Sequence, residues 1–291
     1  AQLVFWRYHT HAEPFLRESN TNGAAAGRDE TMAIRSGIYE LIERDAFMNY
    51  WLLAVPPRRI RLDTLPEAIQ KDIIRPFERY RLRLELLALS TDFSLPVFAA
   101  VICGIQNCEP AFALGAACHE SAEVAVRRAI LEAFATFSIL RRRGEVRNAT
   151  SVRGTPADDA ASDETEFATL SMEERLRLWA SGRMDHEANR FLSGPEEVFS
   201  AAANSREHIS SLEELFTRFK QKRYRLFMYN AVTPMRKKVA HTAVKVIAPE
   251  LQPMYLAEQF AGYRRSRLEE FANHLGITWS GIVNPAPHPF P

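Results

Sequence analysis

The chain has 291 residues, 46% of them hydrophobic and 25% charged, with a formal net charge of +1; this is the composition of a globular protein with ample material for a core. Lys and Arg are balanced by Asp and Glu, so the charge supports no nucleic-acid partner, and no apolar run reaches the roughly 18–20 residues of a transmembrane helix. The opening residues lack the apolar stretch of a signal peptide, and Cys103, Cys108 and Cys118 are too few and wrongly spaced for a zinc site or disulfide framework, so they read as reduced core residues of a cytoplasmic protein.

In chain order, QLVFWRYH reads as a strand already in progress, with His9 and His11 as a strand-edge pair rather than metal ligands. Residues 19–27, SNTNGAAAG, form a small-residue loop able to turn tightly and to approach a ligand closely. A helix follows, with Glu30 and Thr31 in its first turn and no proline before Pro56, which leaves room for about five turns. On a 3.6-residue wheel Ser36, Glu40, Glu43, Arg44, Phe47 and Trp51 share an arc of about 80–100°. A solvated face with a Glu40–Arg44 pair accounts for the charges alone. The two rings argue that the face is covered, and covered carboxylates need a metal, a polyanion with its metal, or an ion-pair network. The opposite face, Ile34, Ile38, Leu41 and Leu52, is apolar but broken by Asp45 and Asn49, which predicts polar contacts on both sides.

Residues 65–82 read as a helix kinked or interrupted at Pro76. Residues 84–91 and 96–105 read as strands joined by a turn at 92–95, and residues 111–118 as a third, buried strand. A second long helix runs from Glu120 to Arg141 with Ser121, Arg128, Glu132 and Thr136 on one side and Val126, Ile130, Phe134 and Phe137 on the other. Residues 141–166 are charged and poor in large apolar side chains, a flexible surface loop. Capping boxes at Ser171/Glu174 and Ser211/Glu214 open helices over 171–180 and 211–222, and residues 225–232 and 243–247 read as core strands. Residues 284–291, NPAPHPFP, end the chain on alternate prolines that fix φ and extend the tail over about 20 Å. Strands flanked by long helices make a mixed α/β (α+β) domain.

SNTNGAAAG followed by Ser36-x3-Glu40-x2-Glu43-Arg44-Asp45-Ala46 resembles the ATP-binding region of YcaO-domain proteins. Arg128-Ala129-x2-Glu132 is similar to that family's second nucleotide-binding helix, and TDFSLPVFAAVI and KVIAPELQPMY resemble further family segments. Two positions depart from the pattern, Ala135 where the family has Gln and Glu250 where it often has Gly. The resemblance implies a YcaO-like ATP-binding domain over residues 1–291, N-terminally incomplete, with mixed β-sheets packed by long helices that carry the nucleotide site. It implies ATP and Mg²⁺ as cofactors, Glu40, Glu43 and Glu132 as metal ligands, and Ser36, Arg44 and Arg128 as phosphate contacts. Glu258, Arg264, Arg265 and Arg267 fall where the family has polar residues near the nucleotide, without singling out one arginine.

Pro287, Pro289 and Pro291 look like the Pro-x-Pro-x-Pro terminus of azoline-forming YcaO cyclodehydratases. Rigid proline lowers the entropy lost on ordering, so the Pro291 carboxylate is expected to act as a base held on a stiff rod. The implied activity is ATP-dependent cyclodehydration of Cys, Ser or Thr in a ribosomal precursor peptide, in bacteriocin-type biosynthesis. The implied partners are that peptide and a leader-binding protein or domain, with a homodimer as one assembly; no nucleic acid and no membrane are expected. The other readings are a non-catalytic scaffold with a decayed nucleotide site and a YcaO enzyme that forms a thioamide or an amidine.

Overall fold

A computed structural model describes residues 20–80, 82–104, 110–143, 167–200, 211–230 and 241–290. The strand expected at the start with His9 and His11, most of the loop at 141–166, Cys108 and Pro291 lie outside the described residues. The elements are β1 (Ala24–Gly27), α1 (Glu30–Leu52), β2 (Arg58–Ile60), β3 (Arg83–Ala88), β4 (Val97–Cys103), β5 (Phe112–Cys118), α2 (Ala122–Arg143), α3 (Met172–Ala180), α4 (Asp185–Phe191), β6 (Glu196–Glu197), α5 (Leu212–Gln221), β7 (Phe227–Asn230), β8 (Thr242–Ile247) and α6 (Arg265–Leu275). They build two sheets, a three-stranded β1-β8-β7 and a five-stranded β5-β4-β3-β2-β6. All pairings are antiparallel except β2 with β6.

The core is layered around α1, which packs against β1 and β8 on one side and against β5 and β4 on the other. Strand period explains how one sheet serves two helices. On β4, Val97, Ala99 and Val101 face the α1 core, while Phe98, Ala100 and Ile102 face α2 together with Ala113 and Ala117 of β5. Between two sheets α1 is covered over most of its length beyond the first turn, and it buries Asp45 and Asn49 as fully as Ile38 and Phe47. Its start is set by Asp29, whose carboxylate accepts from Met32 N at 2.7 Å. Both expected capping boxes are present, at Ser171/Glu174 and Ser211/Glu214.

Four local readings change. Residues 24–27, expected as loop, form β1, pairing with residues 242–245 of β8; just ahead of it the chain comes close to β8 at Gly23, where a Cβ would lie 2.2 Å from Val246 O and φ is +79°. The helix expected over 65–82 is short and irregular, with a π turn at Gln70–Ile74 ahead of Pro76. A proline cannot donate to the carbonyl four residues back, and the wider turn re-bonds the backbone there through Arg75 N and Gln70 O. β7 is an exposed edge strand rather than core, with all four residues at the surface. Phe134, assigned to the buried face of α2, is 46% exposed and packs its ring edge on Phe77 at 5.8 Å.

Gly115 lets α2 lie directly on β5: a Cβ there would meet Ala133 N at 2.2 Å and the Glu132 carbonyl carbon at 2.6 Å. Gly115→Ala must push the helix off the sheet, and overpacking of this kind costs about 1–3 kcal/mol. Urea denaturation should show that loss; an unchanged midpoint would mean α2 is free to move.

Candidate active site

Each functional side chain is fixed by an element already described. Ser36, Glu40, Glu43 and Arg44 follow one another up α1, and Arg128 and Glu132 are one turn apart on α2. Because β5 separates the helices only by small residues, the two faces meet at its end. Ser36, Glu40, Glu43, Arg128 and Glu132 line a single cavity of about 180 Å³, closed on the strand side by Ala116, Ala117 and Cys118. Arg44 stands among the carboxylates, 3.2 Å from Glu43, 3.8 Å from Glu40 and 4.0 Å from Glu132. Glu40 Oε2 accepts from Gly23 N at 3.2 Å and Glu132 Oε2 from Ala116 N at 3.2 Å. The six nucleotide- and metal-site residues expected from sequence are thus brought to one place.

The electrostatics show a cluster short of positive charge. Burial raises the Glu40 and Glu132 carboxyls, with Arg44 opposing in each case. Burial raises Glu43 to about 8, Arg44 opposing and Glu132 and Glu40 adding to the rise. Arg44 Nε is buried without a hydrogen-bond partner among the described residues, while Glu43 Oε1 and Arg44 Nη1 face each other as an ion pair at 3.2 Å that lacks hydrogen-bond geometry. Among those residues no three acidic, His or Cys side chains are grouped so as to hold an ion as they stand; a guanidinium lies between the carboxylates instead. The donor set nevertheless suits a hard divalent cation, being oxygen only, and Glu43 Oε1 makes no hydrogen bond beside its ion pair with Arg44. Glu40, Glu43 and Glu132 are the carboxylates that could hold Mg²⁺ here once Arg44 no longer stands between them.

Between its ordinary value of 4.5 and about 8, Glu43 binds a proton in the folded chain that it releases in the unfolded one. Its contribution to stability is therefore present below that window and lost as pH rises through it. Glu43→Gln cannot ionise, so without metal it should stabilise the chain near pH 9 and change little near pH 5, each pKa unit corresponding to about 1.4 kcal/mol. Denaturant titrations at the two pH values read the difference, and equal shifts at both would contradict it.

Two larger cavities flank the cluster. One, about 410 Å³, shares Ser36, Tyr39 and Arg128 with it and adds Arg28, Arg35 and His119. The other, about 300 Å³, lies across Arg44 and includes Leu41, Gln252, Met254 and Arg264. Of the three arginines left unassigned by sequence, Arg264 lines that cavity, Arg265 pairs with Glu269 at 3.1 Å, and Arg267 is buried in ion pairs with Asp45 and Asp92. Ala135 is exposed, and neither it nor Thr136 lines these cavities. Glu250, where the family often has Gly, bonds Arg225 at 2.7 Å and holds no special backbone angle.

The tail reaches the same place. Pro287, His288, Pro289 and Phe290 are buried, and the Arg44 guanidinium carbon lies 3.8 Å from the centre of the Phe290 ring. Sequence reasoning missed Phe290 and the residues that hold the tail, because nothing in a Trp or Arg on a distant helix marks its partner.

The sequence model of the YcaO family, described as an ATP- and Mg²⁺-binding cyclodehydratase, matches residues 1–252. An uncharacterised protein of Methanothermobacter thermautotrophicus is 29% identical over 168 residues, 57% of this chain and 41% of its own. A heterocyclase in complex with substrate and cofactor shares the fold with a TM-score of 0.70 at 20% identity, over 99% of this chain and 36% of its own. A YcaO from Methanopyrus kandleri bound with AMPPCP and Mg²⁺ does so with a TM-score of 0.61 at 19% identity, over 86% of this chain and 60% of its own. The chain spans about two fifths of that curated relative. A family match across most of its length, with the site residues gathered at one cavity, places the chain in the YcaO family.

Proposed function

We propose that this chain carries the catalytic domain of an ATP-dependent peptide cyclodehydratase. The observation that supports this best is the convergence of three carboxylates from two helices, one guanidinium and the proline-rich tail at a single point. In the proposed reaction a Cys, Ser or Thr side chain of a precursor peptide gives up its S–H or O–H proton to solvent and attacks the preceding amide carbonyl. The amide oxygen then takes the γ-phosphoryl group of ATP, and loss of phosphate with the amide proton leaves a thiazoline or oxazoline, ADP and phosphate.

Mg²⁺ bound at such a site supplies neutralisation of the triphosphate charge. Glu40, Glu43 and Glu132 hold it in this reading, and Ser36, Arg44 and Arg128 contact phosphate oxygens. Arg28 in the adjoining cavity adds positive potential beside the cluster, whereas the charge of Arg35 there is offset by Glu120 at 3.3 Å. The Pro291 carboxylate takes the amide proton as general base. Burial of Glu43 and Phe290 closes the cluster to water on the tail side, while Glu40 and Glu132 stay accessible from the cavity. A leader-binding partner protein or domain presents the peptide.

The test is incubation of the full-length protein and its partner with a precursor peptide and Mg–ATP, followed by mass spectrometry. One water lost per ring, with ADP formed and no change without ATP, is the expected result. Exchange of amide oxygen for sulfur would redirect the reading to thioamide formation, and an unmodified peptide with no ADP would overturn it.

A further inference from the structure

Prolines carry no N–H, so a tail of alternate prolines has few donors of its own, and its buried carbonyls need donors from the elements around it. The structure provides three. Trp51 Nε1 donates to Ala286 O at 3.0 Å, Trp179 Nε1 to Pro287 O at 3.1 Å, and Arg175 Nη2 to Phe290 O at 3.2 Å. Arg175 and Trp179 are one turn apart on α3 and buried. Arg175 is itself fixed, its Nη1 donating to Leu256 O at 2.8 Å and to Glu258 at 3.2 Å. The tail also contributes His288, whose Nε2 bonds Tyr255 O at 3.0 Å. These ties deliver the Phe290 ring to Arg44 and to Phe47, whose ring lies at 4.9 Å.

We propose that Arg175 and Trp179 are positioning residues for the reaction, holding the tail carbonyls of Phe290 and Pro287 so that the tail stays seated against Arg44 at the carboxylate cluster. This rests on the proposed role of the tail in cyclodehydration. The two donors line none of the three cavities at the cluster and act through the tail. A hydrogen bond from an indole or a guanidinium has a fixed direction, so losing one lets the tail shift without opening the core, and misplacement of about 1 Å can cost on the order of 10²-fold in rate.

Trp179→Phe keeps the ring and removes the N–H; Arg175→Lys keeps a cation for Glu258 but cannot span both Leu256 O and Phe290 O. In the full-length protein with its partner, each should lower kcat for peptide about 10–100-fold while leaving peptide KM and calorimetric affinity for Mg–AMPPCP within about twofold. Carboxypeptidase should release tail residues from the folded variants at least about tenfold faster than from the parent protein, as a seated tail exposes fewer open states. Combining either change with removal of Pro291 should give no further loss of kcat. The proposal is overturned if both variants keep the tail protected, or if kcat falls only as far as nucleotide affinity or melting temperature falls. Removal of Pro291 alone separates the two ideas: full turnover without it defeats the tail's role as base, whereas the protease result tests the seating by itself.

Discussion

Glu40→Gln and Glu132→Gln should each reduce Mg–ATP-dependent turnover by about 10²–10³-fold, the scale seen when one preorganised charge-stabilising group is removed, with the fold intact. Both substitutions keep an oxygen acceptor for the backbone N–H now bonded, Gly23 N for Glu40 and Ala116 N for Glu132. Neither leaves a buried donor unpaired, so stability should not fall. Both carboxyls are raised by burial, which means the neutral amide costs the metal-free chain nothing that the charge supplied. What disappears is one negative oxygen ligand from a set of three. The pair is informative because the residues sit on different helices: if the site is real, each change weakens Mg–AMPPCP binding by calorimetry and each leaves the melting temperature level or higher. Full turnover in Glu40→Gln, measured as ADP released per peptide modified, would remove Glu40 from the site. Loss of turnover accompanied by a lower melting temperature would point to damage rather than chemistry.

The site was legible from sequence to the extent that its residues lie on one helical period. Ser36, Glu40, Glu43 and Arg44 follow the 3.6-residue repeat, and so do Arg128 and Glu132, so spacing alone places each set on one face. That the two faces meet depends on Gly115 and Ala117, whose small size lets α2 close on β5, and on Ala116, which faces α1; in sequence this is only a buried strand. The interruption of the apolar face by Asp45 and Asn49 signalled polar contacts, and the structure meets it with Arg267 from 222 residues away and a bond from Asn49 Nδ2 to Asp45 O. No local pattern distinguishes Arg267 from Arg264 and Arg265; which of the three points inward is settled by the orientation of α6. β1 was read as loop because Gly and Ala carry no strand preference, and its pairing comes entirely from β8. β7 carries strand-forming residues, and their pattern does not reveal that its partner lies on one side only.

Arg267→Met should cost about 3–5 kcal/mol, the range for removing one partner from a buried ion pair. The guanidinium is fully buried and bonds both oxygens of Asp45 and both of Asp92. Asp45 is also fully buried, with its other described contact to Gln252 N at 2.7 Å, so a charge left there without Arg267 has no solvent to recover. Asp92 is less exposed to that penalty because Lys222 also bonds it. Burial alone would raise Asp92, but its bonds to Arg267 and Lys222 outweigh that and hold it well below its ordinary 3.8. A depressed carboxyl contributes stability that is present above its ordinary value and lost as pH falls through the folded one. The parent protein should therefore lose stability in acid more steeply than Arg267→Met, and the gap between them should narrow as pH falls below the ordinary Asp92 value of 3.8. Adding Asp45→Asn to Arg267→Met removes the stranded charge and should recover part of the loss, giving a coupling of more than about 1 kcal/mol between the two sites. Urea unfolding of the four proteins of this cycle reads both quantities. A loss under about 1 kcal/mol in Arg267→Met would be the value of an exposed pair and would mean that water reaches Asp45. Since Asp45 follows Arg44 on α1, such access would also hydrate the back of the carboxylate cluster, and the raised Glu43 carboxyl would fall with it.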